Sequence, residues 1–149
     1  MKLRLSTDYA IRLLLCLSSS SETQTAYDLG EKMKIPRSTV VKIMVMLKTK
    51  GWVSSQEGIL GGYRMATKLA SISFLDVFSV MDDKVELMFC PDEKLINDDI
   101  YRSTQVVYMY FQKIAEKLLA SITLDKIVDK DVKGLKILYE NIDLRVYDK

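Results

Sequence analysis

Pro36 stands in the middle of a stretch whose apolar residues otherwise recur at helical spacing from Ala26 to Leu47. A proline inside a helix removes a hydrogen bond and clashes with the preceding turn, and it also pushes the residue before it out of the helical region. One long helix is therefore excluded, and the pattern divides into two short helices joined by a tight turn at Lys34-Ile35-Pro36. The first begins at Thr25, whose spacing to Asp28 is that of a capping box, and it buries Ala26, Leu29 and Met33. The second begins near Pro36, a residue suited to a first helical turn. It sends Val40, Met44 and Leu47 to the core and leaves Arg37, Ser38, Thr39, Lys42 and Lys48 on other faces.

Gly51 is a stop signal for that second helix. Trp52-Val53-Ser54-Ser55 reads as a strand, Gly58 to Gly62 as a flexible tip, and Tyr63-Arg64-Met65 as the returning strand. Two short helices followed by a glycine-tipped hairpin make the layout of a winged helix-turn-helix.

The flanking segments fit that centre. Ser6 or Thr7 is a candidate cap for a first helix whose broad apolar face is Ala10, Ile11, Leu13, Leu14, Leu15 and Leu17. Cys16 lies within this run and reads as a small core residue, and Ser18 to Ser21 form a loop. Beyond the hairpin, Ser73 and Asp76 repeat the capping-box spacing and start a helix with Leu75, Val77, Phe78 and Met81. Asp82-Asp83-Lys84 ends it. Val85 to Phe89 is a brief apolar run, and Cys90 to Lys94 a polar loop.

Asn97 or Asp98 then caps the longest helix, which extends to about Ile122. Val107, Phe111, Ile114, Leu118 and Ile122 step by four and three, close to a heptad seam, widened by Tyr101, Tyr108, Tyr110 and Leu119. At about 25 residues this helix spans roughly 37 Å, more than a domain this small can cover. It is expected to pack against its twin in a second copy; the alternative is an ordinary core helix within the chain. Thr123 and Asp125 start a short further helix, Leu124 to Val128, and residues 129–149 form a charged extension.

Composition narrows the function. The chain of 149 residues has no histidine and only two cysteines, Cys16 and Cys90, which removes the usual zinc and haem sites and most histidine-based catalysis. No apolar run reaches the roughly 18 residues of a membrane span, and the N-terminus leads into an amphipathic helix and not a signal peptide, so a cytoplasmic protein is expected. No phosphate-cradling glycine loop or paired catalytic constellation is present, so no enzyme is expected. Residues 1–70 hold 11 Lys/Arg against 5 Asp/Glu, while residues 71–149 hold 11 against 15. The basic half contains the helix-turn-helix, as in a protein that approaches phosphates, although such asymmetry also occurs on ordinary solvated surfaces.

The segments LSTDYAIRLLL, the helix-turn-helix, GWVSSQEGILGGYRMA, SISFLDVFSVMD and SITLDKIV together resemble the Rrf2 family of winged helix-turn-helix transcriptional regulators. The resemblance covers about residues 1–128, and its most specific piece is Gly61-Gly62-Tyr63-Arg64. It implies a mainly α fold with a small β-hairpin wing, in which residues 1–82 bind DNA and residues 98–128 supply the dimerisation helix and a short following helix. Between them, residues 83–97 form the loop of the family's effector region, with a pocket expected near Met88 to Lys94. The implied activity is that of a homodimeric regulator, usually a repressor, acting on an inverted repeat in double-stranded DNA.

Several members of that family hold an iron–sulfur cluster on three cysteines. On that pattern Cys90 takes the first position, but Ile96 and Arg102 take the other two and Gln105 the fourth-ligand position. Such clusters need several thiolates, so neither cluster nor other metal cofactor is expected. Three roles stay open for Cys90: a remnant, an oxidant-sensing thiol, or part of a small-molecule pocket.

For DNA, the resemblance and the residue chemistry point to Arg37, Ser38, Thr39 and Lys42 in the first turns of the second helix, the part that enters a major groove. Lys48 and Lys50 are expected on the backbone, as are Thr25, Gln24 and Tyr27 at the first helix's N-terminus, together with Arg64 in the wing and Lys2 and Arg4 near the chain start. Glu57 departs from the arginine that the family commonly carries before the first wing glycine, and Ile59 and Leu60 alter the tip. The acid at the wing leaves a second possibility, a winged dimer that serves a protein partner instead of DNA.

Overall fold

The computed structural model describes residues 4–58, 61–82 and 98–128. The elements run α1 (Leu5–Ser18), α2 (Ala26–Met33), α3 (Arg37–Thr49), β1 (Val53–Gln56), β2 (Gly62–Met65), a 3-10 turn (Leu69–Ser71), α4 (Phe74–Val80), α5 (Asp99–Ser121) and α6 (Asp125–Val128). The order is the one expected, mainly helical with one antiparallel hairpin. Lys2, Ile59, Leu60, the Val85 to Phe89 run, Cys90 with its loop, Ile96, Asn97 and the 129–149 extension lie outside the described residues.

Helix α1 starts earlier than its hydroxyl residues suggest. The amides of Thr7 and Asp8 already bond to the Arg4 carbonyl, at 3.1 and 3.3 Å, and Arg4, in extended conformation, is the N-cap, which its side chain does not itself serve. Thr7 is consequently inside the helix and fully buried, and neither it nor Ser6 serves as the cap. Ala10, Leu13, Leu14 and Leu17 are fully buried beneath α2 and α3, together with Leu29, Val40, Met44 and Leu47.

The turn between α2 and α3 is built as the proline requires, with one refinement. Thr25 and Asp28 form the full capping box: the Asp28 amide donates to Thr25 Oγ1 at 3.1 Å, and the Thr25 amide donates to Asp28 Oδ2 at 3.2 Å. The chain leaves α2 through Lys34 in the left-handed conformation (φ 56°, ψ 48°), which drops Ile35 into the core. Pro36 is the N-cap of α3 and not its first residue. Its carbonyl receives the amides of Thr39 and Val40 at 2.9 and 3.0 Å.

Gly51, at φ 81°, ends α3, a conformation that costs glycine nothing. The chain then enters β1, which pairs with β2 from Val53↔Met65 to Gln56↔Gly62. A third segment joins this hairpin: Gln24 exchanges two backbone bonds with Tyr63, at 2.9 and 2.8 Å. The approach is close enough that a Cβ on Gly62 would lie 2.7 Å from the Gln24 carbonyl oxygen. The Gln24–Tyr63 bridge thus ties the wing to the start of α2, and Gly62 leaves room for it.

Ser73 and Asp76 form the second capping box and start α4, whose Val77 and Phe78 are buried. Asp98 caps α5 by accepting from the Tyr101 amide at 2.8 Å. The helix packs along α4 and ends at Ser121, one residue before Ile122. Ile122 is extended (φ −98°, ψ 109°), and its carbonyl accepts from the Phe74 amide at 2.9 Å. The Leu124 amide donates to Ile72 at 2.9 Å, and the Leu124 side chain is fully buried in the main core. No helix among the described residues is long and apolar enough to cross a membrane.

Candidate nucleic-acid interface

The inner face of α3 is Val40, Ile43, Met44 and Leu47, all buried. Its outer face carries Arg37, Ser38, Val41, Lys42, Val45, Lys48 and Thr49, all exposed, while Thr39 is half-buried at the boundary. The helix therefore brings Arg37, Ser38 and Lys42 together on one open surface. The wing adjoins α3 through Ser55 and carries Arg64, paired with Ser54, on its other face. The Lys48 ammonium donates to Ser55 Oγ on β1 at 2.6 Å, and Arg64 Nε on β2 donates to Ser54 Oγ at 3.2 Å. Arg64 and Ser54 line a surface hollow of about 560 Å³ with Ser20, Ser21, Met65 and Ala66, in which a guanidinium and three hydroxyls are available to an anion.

Two other basic residues of the first half, Arg12 and Lys32, serve the fold. Arg12 lies 3.0 Å from the Asp8 carboxylate, stacks 5.0 Å from the Tyr9 ring centre and donates to the Met33 carbonyl at 3.2 Å. It joins α1 to the C-terminal end of α2, where a cation is favourable. Lys32 donates to Gln24 Oε1 at 2.7 Å. Exposed basic residues stand on α3 (Arg37, Lys42, Lys48), just after it (Lys50) and on the wing (Arg64), and also at Arg4, Lys34 and Lys68.

Two candidate phosphate donors have other duties. Gln24 is only 5% exposed; its side chain donates to the Cys16 carbonyl at 3.2 Å and accepts from Lys32. It belongs to the interior, because the bridge to Tyr63 holds it beneath the wing. The Thr25 hydroxyl lies 2.7 Å from Asp28 Oδ2, engaged in the cap, although Thr25 is itself exposed. Tyr27, the second residue of α2, is strongly exposed. Thr25's hydrogen bonds hold the Asp28 carboxyl below its ordinary pKa. Glu57 is exposed at the end of β1.

Cys16 is half-buried against the core, and its thiol contacts Gln24 Oε1 at 3.8 Å. Burial pushes the thiol pKa up, with the Lys32 ammonium opposing, so the group stays protonated at neutral pH and is a weak nucleophile. Cys90 and the loop expected to form a pocket are outside the described residues. Of the positions matching the cluster pattern, Arg102 and Gln105 lie on α5, Arg102 exposed and Gln105 half-buried. A permanently protonated guanidinium and an amide do not replace thiolates, so the donor set does not fit an iron–sulfur cluster.

The exposed face of α5 is the other surface feature. None of its 23 residues is buried. Val107, Phe111, Ile114 and Leu118 are about half exposed, and Ile100, one heptad before Val107, is 77% exposed. Ile122, tied to α4, is half-buried and marks the end of the stripe. The signal that reveals this face is the heptad spacing. Nothing comparable in the sequence reveals the burial of Gln24 or Leu124, which depends on partners brought together by the fold.

Comparisons agree with this geometry. Residues 3–130 match the family described as Rrf2, iron-dependent transcriptional regulator. The chain is 26% identical over 146 residues to the HTH-type transcriptional regulator IscR of Klebsiella pneumoniae strain 342, covering 94% of this chain and 90% of that protein. Its fold is shared by IscR of T. potens (TM-score 0.69, 19% identity, 90% of each chain). It is shared equally by CymR, the global cysteine regulator of B. subtilis (TM-score 0.72, 15% identity, 87% of this chain and 98% of that one). With its helix-turn-helix, wing and long helix in this order, the chain belongs to the Rrf2 family of transcriptional regulators.

Proposed function

We propose that the chain acts as a homodimeric, sequence-specific DNA-binding repressor of the cytoplasm that carries no iron–sulfur cluster. The observation that carries the reading is the open face of α3, where Arg37, Ser38 and Lys42 stand together beside a wing bearing Arg64. Hydrogen-bonding and cationic side chains in the first turns of such a helix meet base edges and phosphates. Lys48 and Arg64 supply backbone contacts that fix register, as do Arg4 and Thr25 through their places at helix starts. Thr39 adds its hydroxyl at the edge of the face.

The stripe of Val107, Phe111, Ile114 and Leu118 supports assembly, with Ile122 at its edge. Apolar surface left at heptad spacing along a helix is stabilised by a matching helix, and a second copy supplies one. Two-fold symmetry then places the α3 helices on an inverted repeat with half-site centres about 34–36 Å apart or a multiple of it. One cysteine per chain in the effector region does not furnish a cluster, so the signal is an unidentified small molecule or protein, with Cys90 a candidate sensor.

The test is selection of bound duplexes from a random pool by the purified protein at about 50 and 200 mM salt, the range where phosphate contacts reveal themselves. The reading requires an enriched inverted repeat bound far more weakly at the higher salt. Exposed Glu57 favours one other reading, a winged dimer directed at a protein. Weak, unselective binding that is indifferent to salt would support that alternative and overturn DNA recognition.

A further inference from the structure

The outer face of α3 is not uniformly polar. Val41 and Val45, one turn apart, are 39% and 59% exposed, flanked by Arg37, Ser38, Lys42 and Lys48. Valine is a mediocre helix former, so propensity does not recommend two of them on a solvated helix face, and the core is already filled by Val40, Ile43, Met44 and Leu47. Their β-branched side chains are stiff, with few rotamers to lose on contact.

In a major groove one feature of the base edges is apolar: the C5-methyl group of thymine. We propose that Val41 and Val45 read thymine methyl groups, which makes each half-site one with A·T pairs facing the middle of α3. This rests on the DNA-binding reading above and adds the chemistry of the preferred base. Surrounding cations argue for this occupant over an apolar protein partner, because Arg37, Lys42 and Lys48 on the same face complement phosphate. Positions four apart on a helix are separated by about 5–6 Å, so the two valines reach methyls on the order of two base-pair steps apart. Arg37 and Ser38, one turn earlier, fix the neighbouring pairs by hydrogen bonds. Val45, the more exposed of the two, also borders a hollow of about 450 Å³ with Met46, Thr49, Lys50, Ser79 and Val80.

The test uses the full chain and the duplex selected above, with each thymine replaced in turn by deoxyuridine, which keeps base pairing and loses only the methyl. The wild-type protein should bind about four-fold more weakly at one or two positions in each half-site, the factor that corresponds to ~0.8 kcal/mol per buried carbon group. V41S should lose that sensitivity at one position and V45S at the other, with melting temperatures like that of the parent. Equal binding of thymine and deoxyuridine duplexes at every position would overturn the inference while leaving DNA recognition intact. Sensitivity that persists in both variants would equally overturn it. If no duplex is enriched at all, the failure belongs to the DNA-binding reading, and the inference falls with it.

Discussion

Helices α1 and α5 are both rich in large apolar residues, yet they occupy opposite environments. Six of the 14 residues of α1 are buried, and their side chains form the floor on which α2, α3 and the wing rest. None of the 23 residues of α5 is buried, although it carries Ile100, Val107, Phe111, Ile114 and Leu118. Apolar content alone does not distinguish them. What separates them is the surroundings each finds: α1 is met by α2, α3, β2, the 3-10 turn and α4 of its own chain, whereas α5 meets α4 and leaves a heptad stripe exposed. The difference teaches that the winged body closes a core of its own, while α5 keeps an apolar stripe that only the proposed dimer would cover.

The largest effect should come from α1. Leu14→Ala removes a fully buried side chain and should cost about 2–5 kcal/mol of stability, seen as a lower melting temperature. A cost as small as that of a surface change would mean the α1 core is looser than its burial implies.

Next comes α5. Phe111→Glu places a charge in the proposed seam and should weaken self-association by at least ~2 kcal/mol, about 30-fold, measured by sedimentation, with the winged body still folded. Affinity should then approach that of a single half-site. Collapse of the whole fold would show instead that α5 packs within its own chain, contradicting the contrast.

Arg37→Ala sharpens the comparison from the other side, because it alters the proposed DNA face and neither the core nor the proposed seam. Affinity for the selected duplex should fall by about 1–3 kcal/mol, with unchanged melting temperature and oligomeric mass.

The smallest effects concern the first capping box. Thr25→Ala should cost about 1 kcal/mol, read by chemical denaturation. Because the Asp28 pKa is depressed in the folded state, its contribution is present above the ordinary carboxylate range near 3.8 and is lost as pH falls through the lower folded value. The difference between parent and Thr25→Ala should therefore shrink on acidification below that range and stay constant near neutrality.

Much of this was legible in the sequence because its signals are local. Both capping boxes, the Pro36 turn, Gly51 and most of the buried residues of α1, α3 and α4 depend on residues close together in the chain, although Leu15, Ala26, Met33 and Leu75, expected on the same faces, are only half-buried. Ile35 and Leu124 escaped such reading because each is a lone apolar residue in a connection, buried only once the fold brings other elements over it. Gln24 escaped for a similar reason: its burial depends on a bridge to Tyr63, far along the chain. Arg12 and Lys32 counted toward the basic half, but their partners at Met33, Asp8 and Gln24 show that part of that charge supports the fold. Of the expected interface, Arg37, Ser38 and Lys42 are exposed together on α3 and Arg64 is exposed on the wing, while Thr25 is engaged in its cap.

The most direct measurement is the mass, by sedimentation equilibrium, of the 17.1 kDa chain bound to its selected duplex. The account predicts two chains per inverted repeat, with the Phe111→Glu variant occupying the same duplex as single chains. One wild-type chain per duplex, or a complex whose composition ignores the repeat, would contradict it.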